Sequence, residues 1–238
     1  MSKGWFITGT DTGVGKTAVA CMIAACLKKR GGNVGVLKPI ATGGRATPSG
    51  LVSDDALALA AVAGVDDPYE LVNPVCLEAP LAPSVAAREA GKPIDVSVVW
   101  RALGTLRERH ETMIVEGIGG IMVPISDGFL VSDLARMIGL PLIVVAQAGL
   151  GTINHTLLTL EHARAKGLSV AGIILNGARG GGDDPSEKTN AAEIARHGGV
   201  RVLGTVKHVP GLRLGAEARS ELAARAEEQI DIGGLLGD

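Results

Sequence analysis

An α/β fold, with a doubly wound parallel sheet and helices on both faces, is what this sequence predicts. Short apolar runs alternate with longer segments of helical period, the pattern of βαβ units. Apolar residues make up 46% of the chain but aromatics only 2%. Aliphatic side chains must therefore fill the interior, as they do in parallel sheets covered on both faces. A glycine-rich stretch, TGTDTGVGKT (8–17), joins the first apolar run to the first helical segment. In such sheets ligands bind at the carboxyl ends of the strands, which is where this stretch falls.

Taken in order, GWFITG (4–9) reads as the first strand and KTAVACMIAACLKKRGG (16–32) as a helix stopped by its glycines. NVGVLKP (33–39) is a second strand, closed by its proline. DDALALAAVAG (54–64) and DVSVVWRALGTLRERH (95–110) carry helical period. TMIVEG (112–117) and PLIVVAQ (141–147) are short β-rich runs. INHTLLTLEHARAKG (153–167) is helical and leads into strand SVAGIILN (169–176). A helix near 186–198, strand VRVLGTV (200–206) and a C-terminal helix complete the pattern. GARGGGDDPS (177–186) reads as a mobile loop, and no linker interrupts the 238 residues, so one domain spanning 1–238 is expected.

The formal net charge of −2 supplies no whole-chain attraction to nucleic acid or to an anionic membrane, and neither partner is expected. Cys21, Cys26 and Cys76 show no metal-ligand spacing. An odd count without a paired motif suits free thiols in a reducing compartment. MSKGWFITG has too short an apolar run for a secretory signal. No stretch approaches the ~20 apolar residues that span a bilayer. A cytoplasmic protein is expected.

The glycine-rich stretch passes the context test for a phosphate-binding loop, because it follows a strand and opens a helix. Backbone N–H groups of such a turn point at phosphate oxygens, and the helix N-terminus adds partial positive charge. Lys16 can reach the outer phosphates of a nucleotide, and the Thr17 hydroxyl can ligate Mg²⁺. The spacing departs from the common form: Thr10 stands where the first glycine belongs, Gly9 lies one residue earlier, and Asp11 adds a negative charge. Glu116 ends an apolar strand ahead of Gly117, Gly119 and Gly120, as a second metal-binding strand does. Lys38, held extended by Pro39, ends the second strand and points toward the crevice that Lys16 faces. Asp54 and Asp55 begin a helix, where acids are favoured in any case. The fold type is that of the P-loop NTPases.

Taken together, GTDTGVGKT, KPIATGG, DDALAL, VEGIGG and GLGTINHTLLT resemble the dethiobiotin synthetases of biotin synthesis, in order from residue 4 to about 206. That family uses the G-x-x-x-x-x-G-K-T form of the loop, which accounts for Gly9. The resemblance implies a homodimeric ligase that consumes 7,8-diaminononanoate, CO₂ and ATP with Mg²⁺. One amine captures CO₂ as a carbamate, which takes the γ-phosphoryl group as a carbamic–phosphoric anhydride. The second amine then closes the cyclic urea.

Residue by residue, the resemblance makes Lys16 and Lys38 the catalytic cations that bracket carbamate and γ-phosphate. Thr17, Asp55 and Glu116 match its Mg²⁺ ligands, and Asp55 is chosen over Asp54 because the family's acid directly precedes ALAL. Nucleotide contacts fall on Gly13, Val14, Gly15, Lys16, Thr17 and Ala18 of the loop. They continue at Asp55, Glu116, Gly117, Ile118 and Gly119, with Asn176 at the adenine and Val206 nearby. Thr12 and Thr42 match substrate or carbamate contacts. Gly151, Thr152 and Asn154 match a carboxylate site that meets the substrate tail across the dimer interface; by their own chemistry Thr152 and Asn154 can cap a helix start. Two departures stand out. Gly13 replaces a glutamate that some members carry, and Val206, Lys207, His208, Val209 and Pro210 replace an expected apolar–Pro pair.

Two other classes of nucleotide protein fit the sequence less well. The septum-positioning and chromosome-partitioning ATPases carry a signature lysine five residues before the loop lysine, where this chain has Asp11. A cobyrinate amidase-like ligase ordinarily needs a glutamine-hydrolysing domain, for which no residues remain.

Overall fold

The computed structural model describes residues 3–179 and 184–237. The chain opens with β1 (Lys3–Gly9), α1 (Lys16–Lys29), β2 (Val34–Leu37), β3 (Ile40–Ala41) and a hairpin of β4 (Arg45–Thr47) and β5 (Gly50–Val52). α2 (Asp54–Ala63), α3 (Tyr69–Val72), β6 (Val75–Cys76), α4 (Pro83–Glu89) and α5 (Val96–Arg109) follow. Then come β7 (Thr112–Gly120), β8 (Pro124–Ser126), β9 (Phe129–Leu130), α6 (Val131–Ile138) and β10 (Leu142–Gln147). The last part holds α7 (Thr152–Ala165), β11 (Val170–Ala178), α8 (Asn190–Gly198), β12 (Val202–Lys207), α9 (Arg219–Gln229) and α10 (Ile232–Leu236).

Six strands pair in the order β12-β11-β10-β1-β7-β2, and every pairing is parallel. Side-chain alternation sends Ile114, Ile143, Val145 and Ile174 to one face, against α1, α2 and α9. Met113, Val115, Val144 and Ile173 go to the other, against helices that include α5, α6, α7 and α8. The predicted doubly wound architecture is the one observed. α1 is buried along most of its length, from Val19 to Leu27. Its Ala and Cys residues bring it close to the sheet, while α9 and α2 cover its outer side.

Several elements were not expected from the sequence. The N-cap of α6 is Leu130, which has no capping side chain of its own; Asp133 Oδ2 instead accepts the Leu130 N–H at 2.9 Å. The two-strand pairs β3–β6, β4–β5 and β8–β9 lie outside the main sheet. β7 runs to Gly120, three residues past the predicted end. The expected helix near 186–198 is a short 3-10 turn, Pro185–Lys188, followed by α8. Residues 180–183 of the expected mobile loop lie outside the described residues. Among the described residues no helix is long and apolar enough to cross a membrane.

Candidate active site

The loop between β1 and α1 wraps around its own lysine. Lys16 Nζ donates to the Asp11 carbonyl at 2.9 Å. A Cβ on Gly9 would lie 2.8 Å from that same carbonyl oxygen, so the wrapped loop requires glycine there. Gly15 caps α1 with φ 91, and a Cβ on it would come within 1.9 Å of Asn176 Nδ2. Asp11 Oδ1 accepts the Thr12 N–H at 2.7 Å. Its carboxylate therefore shapes the loop backbone.

The end of β2 is fastened on both sides. The Lys38 N–H donates to the Val72 carbonyl at 2.7 Å, and the buried Asn73 amide donates to the Lys38 carbonyl at 2.7 Å. Nothing in the sequence singled out Asn73. Ser53 caps α2, its Oγ accepting the Ala56 N–H at 3.3 Å, and so presents Asp55 to the cavity. Asp54 turns away to Arg45, at 3.0 Å.

These elements converge on a cavity of about 280 Å³ lined by Thr12, Gly13, Gly15, Lys16, Thr17, Lys38, Thr42, Asp55, Glu116, Ile118 and Gly119, with Ala41. Lys38 Nζ lies 2.5 Å from Glu116 Oε1 and 3.0 Å from Asp55 Oδ2, and 3.3 Å from the Gly117 carbonyl. Thr17 Oγ1 donates to Glu116 Oε1 at 2.8 Å. Glu116 is fully buried, and its Oε2 has no partner among the described residues.

Burial acts against the charge of each of these groups, and their neighbours decide the outcome. Burial pulls Lys38 down, but Glu116 and Asp55 reverse this and hold its pKa above the ordinary lysine value. Burial likewise opposes ionisation of Asp55, and Lys38, Thr17 and Lys16 overcome it, leaving the carboxyl below its ordinary value. Lys16 has the opposite fate: burial, aided by the Lys38 charge, lowers it to about 8 against the pull of Glu116, Asp55 and Asp11. Two cations and two carboxylates thus neutralise each other around the cavity. A polyphosphate entering it must bring countercharge of its own.

The residues fit Mg²⁺ as that countercharge. Thr17, Asp55 and Glu116 offer hard oxygen donors, and the Glu116 Oε2 is a buried acceptor without a bond. Thr17 gives its proton to Glu116 and keeps lone pairs for a cation. No group of three or more acidic, His or Cys side chains able to hold a metal occurs among the described residues. Two carboxylates and a hydroxyl suit an ion which takes one or two carboxylates and draws its other ligands from water and phosphate.

The remaining expected residues lie elsewhere. Val14 and Asn176 line a neighbouring cavity of about 440 Å³, where the Asn176 amide donates to the Val14 carbonyl at 2.9 Å. Ala18 follows Thr17 in the first turn of α1. The Val206 side chain is buried in the hydrophobic core, and His208 lines the cavity. Gly151, Thr152 and Asn154 line neither cavity. The expected caps are corrected: Gly151, with φ 93, occupies the N-cap of α7 and no side chain caps it. Thr152 is buried with its hydroxyl unpartnered, because the turn carries it inward, while Asn154 is exposed. A third, mainly apolar cavity of about 470 Å³ adjoins the loop at Thr10 and Asp11 and is walled by Ile121, Met122, Val123 and α7.

Solved structures agree on the fold. The septum site-determining protein MinD complexed with Mg-ADP from Pyrococcus horikoshii OT3 superposes with a TM-score of 0.52 at 16% identity, covering 96% of this chain and 97% of that one. A chain of the MinC:MinD cell division protein complex of Aquifex aeolicus gives 0.55 at 14%, covering 95% of this chain and 96% of that one. At such identities the likeness extends to the fold alone. A family model described as an AAA domain matches residues 3–214. The ATP-dependent dethiobiotin synthetase BioD of Methanocaldococcus jannaschii is 42% identical over 206 residues, 85% of this chain and 92% of that protein. Its namesake from Bacillus subtilis (strain 168) is 44% identical over 203 residues, covering 85% and 86%. That of Thermodesulfovibrio yellowstonii is 37% identical over 243 residues, 99% of each chain. Likeness at this level over 85–99% of the chain leaves one conclusion: the chain belongs to the ATP-dependent dethiobiotin synthetase family.

Proposed function

We propose that this chain, folded as a single domain and paired as a homodimer, closes the ureido ring of dethiobiotin from 7,8-diaminononanoate, CO₂ and ATP. The observation that carries the proposal is the convergence of Lys16, Lys38, Thr17, Asp55 and Glu116 with Thr12 and Thr42 on one cavity. The family relationship supplies the substrate class.

An amine of the substrate adds to CO₂ and loses a proton, forming a carbamate. A carbamate oxygen attacks the γ-phosphorus while the bond to the bridging oxygen breaks and ADP departs. The second amine attacks the carbamoyl carbon, the C–O bond to phosphate breaks, and the amine proton leaves as the ring closes. Phosphoryl transfer of this kind depends on positioning and on charge stabilisation. Lys16, held in the loop by the Asp11 carbonyl, meets the outer phosphates. Lys38 offers a permanent ammonium to the carbamate, and Thr12 and Thr42 hold carbamate oxygens. Thr17, Asp55 and Glu116 would hold Mg²⁺, which when bound neutralises charge on the phosphates.

Gly151, Thr152 and Asn154 act on the substrate carboxylate from the partner subunit; their place outside the catalytic cavity of their own chain supports this. Leu150, Leu158 and Met122 are exposed apolar side chains around that surface, as an interface between copies requires. The mainly apolar cavity beside the loop gives the alkyl chain of the substrate its wall.

The test is product formation. Dethiobiotin and ADP should appear only when diaminononanoate, CO₂, ATP and Mg²⁺ are all present. ATP hydrolysis that proceeds without the diamine and yields no ring product would overturn the proposal in favour of a nucleotide switch.

A further inference from the structure

Lys38 follows β2 and Asp55 stands in the first turn of α2, and their side chains meet in the catalytic cavity at 3.0 Å. A second connection, made by residues that do not line that cavity, joins the two backbones. Residues 38–41 and 73–76 run side by side, with Ile40 and Ala41 of β3 in register with Val75 and Cys76 of β6. Pro39 and Pro74 have no N–H, so neither can carry this ladder back to Lys38. The Asn73 side chain supplies the missing donor. Its amide gives one N–H to the Lys38 carbonyl at 2.7 Å and one to the Val75 carbonyl at 3.1 Å.

With both N–H groups committed, the Asn73 carboxamide oxygen is left as an acceptor, and the Tyr69 hydroxyl donates to it at 3.0 Å. That hydroxyl in turn accepts the Ser53 N–H at 2.6 Å. A backbone N–H can only donate, so the direction of every bond in the series is fixed. Burial holds the Tyr69 phenol above its ordinary pKa, and the proton it donates to Asn73 stays in place. Tyr69 and Asn73 open and close the single turn of α3, where the Asn73 N–H returns to the Tyr69 carbonyl at 2.8 Å. Ser53 is the N-cap of α2, two residues before Asp55. The bridge therefore runs from Lys38 through Asn73 and Tyr69 to the start of the helix that presents Asp55.

We infer that Tyr69 and Asn73 are positioning residues for ring formation, which set the spacing of Lys38 and Asp55 without lining any of the cavities around the phosphate loop. This rests on the proposed roles of Lys38 at the carbamate and Asp55 at Mg²⁺. The ion pair cannot fix that spacing alone. A lysine has a flexible four-carbon stem and reaches a carboxylate from many backbone positions, and the bridge restricts it to one. A misplacement of about 1 Å at reacting groups costs about a hundredfold in rate.

Tyr69→Phe removes one oxygen and keeps the ring. Well below its unfolding temperature it should lower kcat and kcat/KM for dethiobiotin formation together, by about ten- to a hundredfold. A purely structural bridge would lower the unfolding temperature and leave kcat unchanged. The Ser53 amide should exchange its hydrogen faster in this variant while the amides of α1 keep their protection, which marks a local loss in an intact fold. Asn73→Ala should lose at least as much turnover. Because the two residues act in series, the double variant should lose no more than Asn73→Ala alone. Unchanged kcat or unchanged Ser53 exchange in Tyr69→Phe, a loss confined to KM, or losses that multiply in the double variant would overturn the inference. If Asn73→Ala does not fold, Tyr69→Phe decides by itself. Ring formation by the unsubstituted protein is scored first, so the ligase proposal and the bridge can fail separately.

Discussion

The two sides of the phosphate loop are built on opposite plans. Toward β2 and β7, the charged groups already have partners: Lys38 with Glu116 and Asp55, Glu116 also with Thr17, Lys16 with the Asp11 carbonyl. Toward β10 and β11, Gln147 is unheld and Asn154 is exposed, while the loop beneath them is fastened from outside by Asn190. Groups that must stabilise charge during a reaction gain from being fixed beforehand, because reorganisation then costs nothing at the moment of bond change. Groups that recognise a ligand gain from keeping their hydrogen bonds for it.

The sharpest way to break this contrast is Lys38→Ala. It removes the ammonium proposed to face the carbamate and strands two carboxylates, one of them fully buried. Turnover should fall by about a hundredfold or more, and stability by about 3–5 kcal/mol, read by denaturant unfolding. Adding Glu116→Gln should recover much of the stability and none of the turnover. If the double variant is as unstable as the single one, the ion pair does not set the cost.

Asn190→Ala probes the opposite side. The buried Asn190 amide donates to the Ala148 carbonyl at 2.6 Å and to the Gly149 carbonyl at 3.1 Å. Its loss should cost about 1–3 kcal/mol. It should also raise the KM for the diamine more than it lowers kcat, since the loop leading to residues 151–154 loosens. Equal effects on both would place the loop in the catalytic half.

The smallest effect concerns protons. The Lys16 pKa stands at about 8 in the folded chain against 10.5 for an ordinary lysine. Between those values the unfolded chain holds the proton that the folded chain has released, so the Lys16 contribution makes stability rise with pH across this window. Bound phosphate restores the ammonium, so nucleotide binding near pH 9 should take up as much as about one proton. Calorimetry in buffers of different ionisation enthalpy measures this uptake. Lys16→Met should abolish both the uptake and the slope.

Much of the catalytic side was legible along the chain because its parts are local. A strand, a glycine turn and a helix start are consecutive, and Lys38 and Glu116 each end an apolar run. The choice between Asp54 and Asp55 needed family resemblance, and the fold separates them by turning one to Arg45 and the other to Lys38. Asn73 and Asn190 left no trace in periodicity, since each is a single polar residue whose partners lie in segments far along the chain. α6 escaped because its cap comes from Asp133, inside the helix. Strand alternation turns the Val206 side chain into the core, which the run VRVLGTV by itself did not reveal.

By itself the sequence determined the alternation of strands and helices, the phosphate loop with its lysine, and the residue types that gather around it. These follow from turn chemistry and from periods of two and 3.6 residues, which act over a few neighbours. Only the tertiary structure decided the strand order β12-β11-β10-β1-β7-β2, and with it which strand ends meet. Parallel pairing joins segments that are distant in the chain, so the meeting of Lys38 with Glu116, and of Gln147 with Asn176, is a property of register and not of any local pattern.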